Sequence, residues 1–281
     1  MTTGPPAALV RSLVEGPSPV SGVEWHERVS STNALAAEAA RRGTPEIHLV
    51  VADEQLAGRG RRDRSWYAPP GSSLLVSFLL RPGRHPDVDP AALPLLPLVA
   101  GLALLEAAAP HCPGAELTLK WPNDLLAGGC KAAGILAEAL PDGAAVVGIG
   151  VNVDWRGHTR PAELAGATSL AEACGGAVDR WRLLAALAGV LGNRYLDWVR
   201  DPAAVLDAYR RRCATVGRSV RVEREGAPPL TGRAAAIGDD GSLLVVADGV
   251  TTSVSAGDVV HVRDDQPPSS GSVHTSATDG S

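Results

Sequence analysis

Four short blocks of this chain carry residues whose types and spacing could do chemistry. The first is Gly58-Arg59-Gly60-Arg61-Arg62-Asp63-Arg64, preceded by Gln55 and followed by Trp66. Glycine lets a backbone approach a ligand closely, and arginine offers a planar fork of donors to carboxylate or phosphate. A solvated charged loop and a nucleic-acid patch are the competing readings of the same run. The second is Lys120-Trp121-Pro122-Asn123-Asp124. Pro-Asn-Asp is a turn signal in itself. At a strand end, however, Asn and Asp could hold a nucleotide or its magnesium, and a preceding lysine could neutralise phosphate. The third, Gly129-Cys130-Lys131 running into Ala132 to Glu138, sets a lysine at the mouth of an apolar strand. There it is either a solubilising turn residue or a fixed cation, and Glu138 reads as a partly buried structural acid. The fourth, Gly148-Ile149-Gly150-Val151-Asn152, ends a strand on a polar group that can face a ligand.

Composition gives these blocks weight. Lys120 and Lys131 are the only lysines among 26 basic residues. The only asparagines are Asn33, Asn123, Asn152 and Asn193, and the only glutamines Gln55 and Gln266. Abundant Ala, Gly, Pro and Arg match GC-rich coding DNA, under which an idle lysine drifts to arginine. Both lysines, two of the four asparagines and one of the two glutamines fall in or beside these blocks, and a third asparagine, Asn33, ends the Ser31-Thr32-Asn33 run.

Other classes are disfavoured. A net charge of -5 gives no electrostatic reason to expect nucleic-acid binding, so no DNA partner is expected. Cys112, Cys130, Cys174 and Cys213 are widely spaced and read as reduced thiols rather than a zinc or disulfide framework. There is no P-loop motif, and Gly148 to Asn152 lacks the dinucleotide-binding spacing. No apolar run is read as reaching a membrane span, and the start lacks a basic-then-apolar leader. A soluble, cytoplasmic protein with no membrane partner is the expectation.

The elements that must position these residues can be read coarsely. Residues 1–20 are read as a loosely ordered lead, with no room before residue 25 for a helix-turn-helix, and 264–281 as a disordered tail. Ser31-Thr32-Asn33 reads as an N-cap ahead of an alanine-rich helix that Gly43 stops. Buried strands are expected at 47–52 and 72–80, with a polar loop over 53–71 between them. An apolar helix is expected at 91–109, strands near 116–121, 132–140 and 144–153, and helices at 180–199 and 202–213. Beyond Gly217 short strands at 218–224, 230–237, 242–247 and 250–255 suggest a small β-barrel. The domain reading is 21–215 for a large domain and 216–263 for the small one.

In this order and spacing the blocks resemble the biotin–protein ligase family, over about residues 25–263. The resemblance implies an α+β fold: a catalytic domain related to class II aminoacyl-tRNA synthetases, with a mixed sheet and flanking helices, and a C-terminal SH3-like barrel. It implies two steps, in which biotin and MgATP give biotinyl-5′-adenylate and a lysine of a biotin carboxyl carrier domain then displaces AMP. By resemblance Ser31, Thr32, Asn33, Gln55, Gly58, Arg59, Gly60, Arg61 and Lys131 match biotin contacts. Arg61, Arg62, Trp66, Lys120, Asn123, Asp124 and Asn152 match the ATP side, and Lys131, Arg61 and Arg59 are the catalytic set. No magnesium ligand is assigned. Position 63 departs from the pattern, with Asp where the family commonly has Gly. A lipoate or octanoyl transferase-like enzyme of the same fold is the alternative reading, and a non-catalytic adenylate- or nucleic-acid-binding regulator is a second.

Overall fold

Runs of Val, Ile and Leu bounded by Gly and Pro can bury their side chains only as strands or core helices, and most of them do. The computed structural model describes residues 4–62, 64–224 and 226–262. In chain order the first part comprises α1 (Ala7–Glu15), β1 (Gly22–Val29), α2 (Thr32–Arg41), β2 (His48–Gln55), β3 (Ser73–Leu80) and α3 (Leu96–Ala108). Then come β4 (Leu117–Lys120), β5 (Asp124–Ala127), β6 (Cys130–Ala139), β7 (Ala145–Asn152), α4 (Leu170–Cys174), α5 (Arg180–Arg200) and α6 (Pro202–Arg210). Five strands close the described chain: β8 (Ser219–Arg224), β9 (Ala227–Ile237), β10 (Leu243–Ala247), β11 (Val250–Val254) and β12 (Asp258–His261).

The large sheet runs β1-β2-β3-β7-β6-β5-β4. It is mixed: β1 and β2 are parallel, and every other pair is antiparallel. Alternation along a strand sends successive side chains to opposite faces. In the interior strand β3 every residue is buried. Leu74, Val76, Phe78 and Leu80 enter the main core with α3 and α5, whereas Leu79 packs on Ala39 and Ala40 of α2. Ser77 shares the α2 face, and that face holds the cavity. At about 1.5–3 kcal/mol per buried leucine, the α3 side supplies most of the hydrophobic stabilisation.

The small sheet, β11-β10-β9-β8-β12, is antiparallel and packs back on the first domain. Trp121 is its anchor: the side chain is fully buried and its indole N–H donates to the Gly241 carbonyl at 2.8 Å.

The structure corrects several expectations. Residues 7–15 of the supposedly loose lead form a helix that buries Leu13 against the core. An apolar stretch does reach membrane-span length: Pro90–His111 has a mean hydropathy of 1.9 over 18 residues, 67% of them buried inside the protein. It starts as a 3-10 turn over Pro90–Leu95 before α3, because Pro94 and Pro97 interrupt regular hydrogen bonding. The helix expected to reach 213 stops at Arg210. Strands β1, β5 and β12 were not anticipated. Position 63 and the expected tail lie outside the described residues.

Candidate active site

The cavity lies on the α2 face of β6 and β7 and has a volume of about 710 Å³. Its floor follows the alternation of β7: Gly148, Gly150 and Asn152 share one face, spread over about 14 Å at ~3.4 Å per residue. Opposite them in β6 stand Leu136 and Gly134. The glycines make room rather than bend the chain. A Cβ on Gly148 would sit 2.1 Å from Asn33 Oδ1, and one on Gly150 would sit 2.4 Å from the Trp66 indole. A Cβ on Gly134 would also meet that indole, at 2.8 Å. Gly148 thus seats Asn33, and Gly150 and Gly134 seat Trp66.

At the Gly148 end, buried hydroxyls and amides form a chain. Gln55 Oε1 accepts from the Thr32 backbone N–H at 2.8 Å and lies 3.1 Å from the Thr32 hydroxyl. Ser77, fully buried, stands 2.8 Å from that hydroxyl and donates to Asn33 Oδ1 at 2.6 Å. The Asn33 amide donates to Glu138 at 2.5 Å, and Glu138 in turn takes Arg59 at 3.2 Å. Ser31 holds the N-cap position of α2, but its side chain makes no capping bond and it lines the cavity instead.

Towards Asn152 the cavity turns cationic. Lys131 Nζ is 2.7 Å from Asp124 Oδ1 and 5.7 Å from the centre of the Trp66 ring. Arg61 donates to Asn123 Oδ1 at 3.4 Å, and Asn123 is itself tied to the Ile135 carbonyl at 2.9 Å. Burial pushes the ionisation of both Arg61 and Lys120 below the usual range, partly opposed at each by nearby carboxylates including Asp124. The Asn152 amide donates to Thr168 O at 2.9 Å, and the Thr168 N–H donates to Lys131 O at 2.9 Å. Asn152 Oδ1 and Trp66 Nε1 are buried without a hydrogen-bond partner among the described residues. Unpaired polar atoms in a cavity wall are where a ligand edge would complete them.

The Gly-Arg segment is a hairpin laid over the cavity. Trp66 N donates to Gly58 O at 2.8 Å, Gly60 N donates to Arg64 O at 2.6 Å, and Arg62 turns the corner at φ 54°. Its outer side rests on the C-terminal sheet. Arg61 donates to Gly257 O at 3.2 Å, Arg62 donates to Glu223 O at 2.8 Å, and Arg64 pairs with Asp258.

Of the residues singled out from sequence, Ser31, Thr32, Asn33, Gln55, Arg59, Gly60, Arg61, Trp66, Lys120, Asn123, Asp124, Lys131 and Asn152 line this one cavity. Gly58 and Arg62 do not. Gly58 sits behind the hairpin, where a Cβ would meet Trp66 O at 2.8 Å, and the Arg62 guanidinium is drawn away by Glu223 O and Asp258. Asn33 lines the wall with both polar atoms of its amide already engaged. Sequence reasoning missed the wall supplied by Glu223, Asp258 and Val260 from the C-terminal sheet, and by Trp155 and Leu164 from the segment before α4. Nothing in the sequence marked Asp258, since β12, which it begins, was not anticipated.

The model of the Biotin/lipoate A/B protein ligase family matches residues 25–154, and that of the Biotin protein ligase C terminal domain matches 215–262. Fold, cavity and these matches define a ligase of the biotin and lipoate class. The Biotin--[acetyl-CoA-carboxylase] ligase of Mycobacterium tuberculosis is 40% identical over 252 residues, covering 86% of this chain and 92% of that protein. The protein of the same name from Paracoccus denitrificans is 36% identical, covering 78% and 91%. The biotin protein ligase from Aquifex aeolicus, solved in complex with biotin and ATP, superposes with a TM-score of 0.72 at 27% identity, over 86% of this chain and 99% of that one. The chain belongs to the biotin protein ligase family and is a ligase enzyme. Its mixed sheet and flanking helices are the catalytic domain of that family, and its C-terminal antiparallel sheet is the SH3-like barrel.

Proposed function

We propose that this cavity binds biotin with its ring system at the Thr32–Gln55 end and ATP towards Trp66 and Asn152, and joins them as biotinyl-5′-adenylate. The observation that carries this reading is one strand face, about 14 Å long, with neutral hydrogen-bonding groups at one end and cations beyond them. A carboxylate and a triphosphate repel each other. Lys131, Arg61 and Lys120 offset that repulsion and stabilise charge developing at the α-phosphorus as pyrophosphate departs. Asp124 holds the Lys131 ammonium in place, and Asn123 does the same for Arg61. Trp66 and the Arg59–Arg64 hairpin cover the cavity, which keeps water from the mixed anhydride. A carrier lysine then attacks the acyl carbon, the amide bond forms and AMP leaves.

Magnesium enters in this reading as part of the MgATP substrate. Among the described residues no group of three or more His, Cys, Asp or Glu is arranged to hold a metal. Asp124 is a single carboxylate beside the cations, which suits an ion held largely by phosphate oxygens and water. The acceptor is the biotin carboxyl carrier domain of a carboxylase, and the setting is the cytoplasm. The test is biotin-dependent exchange of labelled pyrophosphate into ATP, repeated with lipoate and octanoate. Exchange with biotin alone supports the reading; exchange driven by lipoate or octanoate, or by no acid at all, overturns it.

A further inference from the structure

We propose that Glu138 sets the donor and acceptor polarity of the cavity's head-group end, and so acts as a specificity-determining residue for a cyclic urea without touching it. The proposal rests on the reading that biotin's ring system lies against Thr32 and Gln55.

The argument follows protons. A carboxylate can only accept hydrogen bonds. Glu138 therefore forces Asn33, 2.5 Å away, to turn its NH₂ towards it, and the Leu136 carbonyl, 3.4 Å from the same nitrogen, demands the same orientation. Asn33 Oδ1 then faces Ser77 and takes that hydroxyl's single proton at 2.6 Å. With the Ser77 proton committed, the contact of 2.8 Å between Ser77 and Thr32 can be made only by Thr32 donating. The Thr32 proton, whether directed to Ser77 or to Gln55 Oε1, points into the protein, and its lone pairs face the cavity. Gln55 Oε1 is fixed by the Thr32 backbone N–H, so Gln55 Nε2 is left to donate. The wall thus presents an acceptor at Thr32 and a donor at Gln55. A cyclic urea is the complement, with N–H groups flanking a carbonyl oxygen.

The Asn33 and Ser77 groups are buried and cannot borrow water to repair a reversed chain. A glutamine at 138 can offer NH₂ as readily as oxygen. Asn33 is then held in its present orientation only by the longer Leu136 contact. In the flipped form Ser77 donates to Thr32, whose proton keeps only the 3.1 Å contact with Gln55 Oε1 to draw it inward and is otherwise free to turn outward as a donor.

The experiment measures binding of biotin and of desthiobiotin, which keeps the urea, to Glu138→Gln, Ser77→Ala, Thr32→Val and Arg59→Ala, together with the KM for ATP. Glu138→Gln and Ser77→Ala are expected to weaken both urea ligands by about tenfold or more, the scale of one mismatched buried hydrogen bond. The KM for ATP and kcat at saturating biotin should stay within about twofold. Wild-type biotin affinity in Glu138→Gln, with Thr32→Val weakened, overturns the proposal alone. Wild-type affinity in Thr32→Val overturns the placement of biotin on which it rests. If Arg59→Ala reproduces the Glu138→Gln loss and the double variant adds nothing, Glu138 acts by holding the hairpin, and the polarity argument fails. Unchanged thermal melting in Glu138→Gln or Ser77→Ala keeps the comparison free of unfolding.

Discussion

Lys131 is positioned before any ligand arrives, by Asp124 at 2.7 Å and by the face of Trp66. A compact ammonium fits between a carboxylate and an indole; a guanidinium is planar, wider and directs its donors in a fork. Lys131→Arg should therefore lose adenylation by about 10²-fold or more, the cost of one misplaced electrostatic donor, with an unchanged melting temperature. Pyrophosphate exchange at the wild-type rate would remove Lys131 from the chemistry. The floor glycines allow a sharper comparison. Gly150→Ala drives a methyl group into the Trp66 indole, whereas Gly148→Ala drives one into the Asn33 amide. The first should raise chiefly the KM for ATP, and the second chiefly the KM for biotin; equal effects on both substrates would contradict the two-ended cavity. Scarcity made the lysines and asparagines legible in the sequence. Glu138 and Asp258 had no such signal, because Asp and Glu total 31 in this chain. The glycines were visible, but their purpose was not, since it depends on side chains distant in sequence.

At the scale of elements, the Gly-Arg hairpin is held by the C-terminal sheet as well as by its own turn. Arg61, Arg62 and Arg64 all reach groups on β8 or at the start of β12. A cover governs retention more than bond making. Arg61→Ala should accordingly shorten the half-life of enzyme-bound biotinyl adenylate, measured after gel filtration, more than it slows single-turnover adenylate formation. An unchanged half-life would show that the hairpin is not the cover. Periodicity and turn residues made α2, β3, β6, β7 and α5 readable. They did not reveal β1, whose polar Glu24-Trp25-His26-Glu27-Arg28 lacks clean alternation and which becomes a strand by pairing with β2. Nor did they reveal α1, whose helix stands among prolines and glycines that read as disorder.

Across the whole molecule, the junction between the two domains holds a buried histidine that should make it sensitive to acid. His261 on β12 shares a contact of 3.2 Å with the Thr215 hydroxyl, which also receives the Trp121 N–H at 3.0 Å. Burial, with Lys120 and Arg218 nearby, pushes its ionisation down from 6.5 to about 4. The unfolded chain therefore binds a proton that the folded one refuses between those values. The stability that neutral His261 contributes is complete above pH 6.5 and is lost as the pH falls through 4. The melting temperature should drop between pH 7 and pH 4.5, and drop less in His261→Gln, whose amide oxygen can still accept from Thr215. A pH profile identical in the two proteins would show that other groups control the junction.

The placement of both lysines inside the cavity has a consequence for covalent labelling. Both lysines of the sequence, Lys120 and Lys131, line the cavity. An amine-reactive acyl reagent at neutral pH acylates the unprotonated fraction of each amine it reaches, and an ordinary α-amino group, with a pKa of about 8, carries such a fraction. Lys131 is engaged by Asp124 at 2.7 Å, whereas Lys120, whose ionisation burial lowers, is the lysine to react first. Bound adenylate should shield it. The protein is thus its own occupancy gauge: peptide mass spectrometry of Lys120 acylation, with the α-amino group as internal standard, should titrate down as biotin and MgATP are added. Lys120 labelling that ignores both substrates would place that amine outside the ligand's reach.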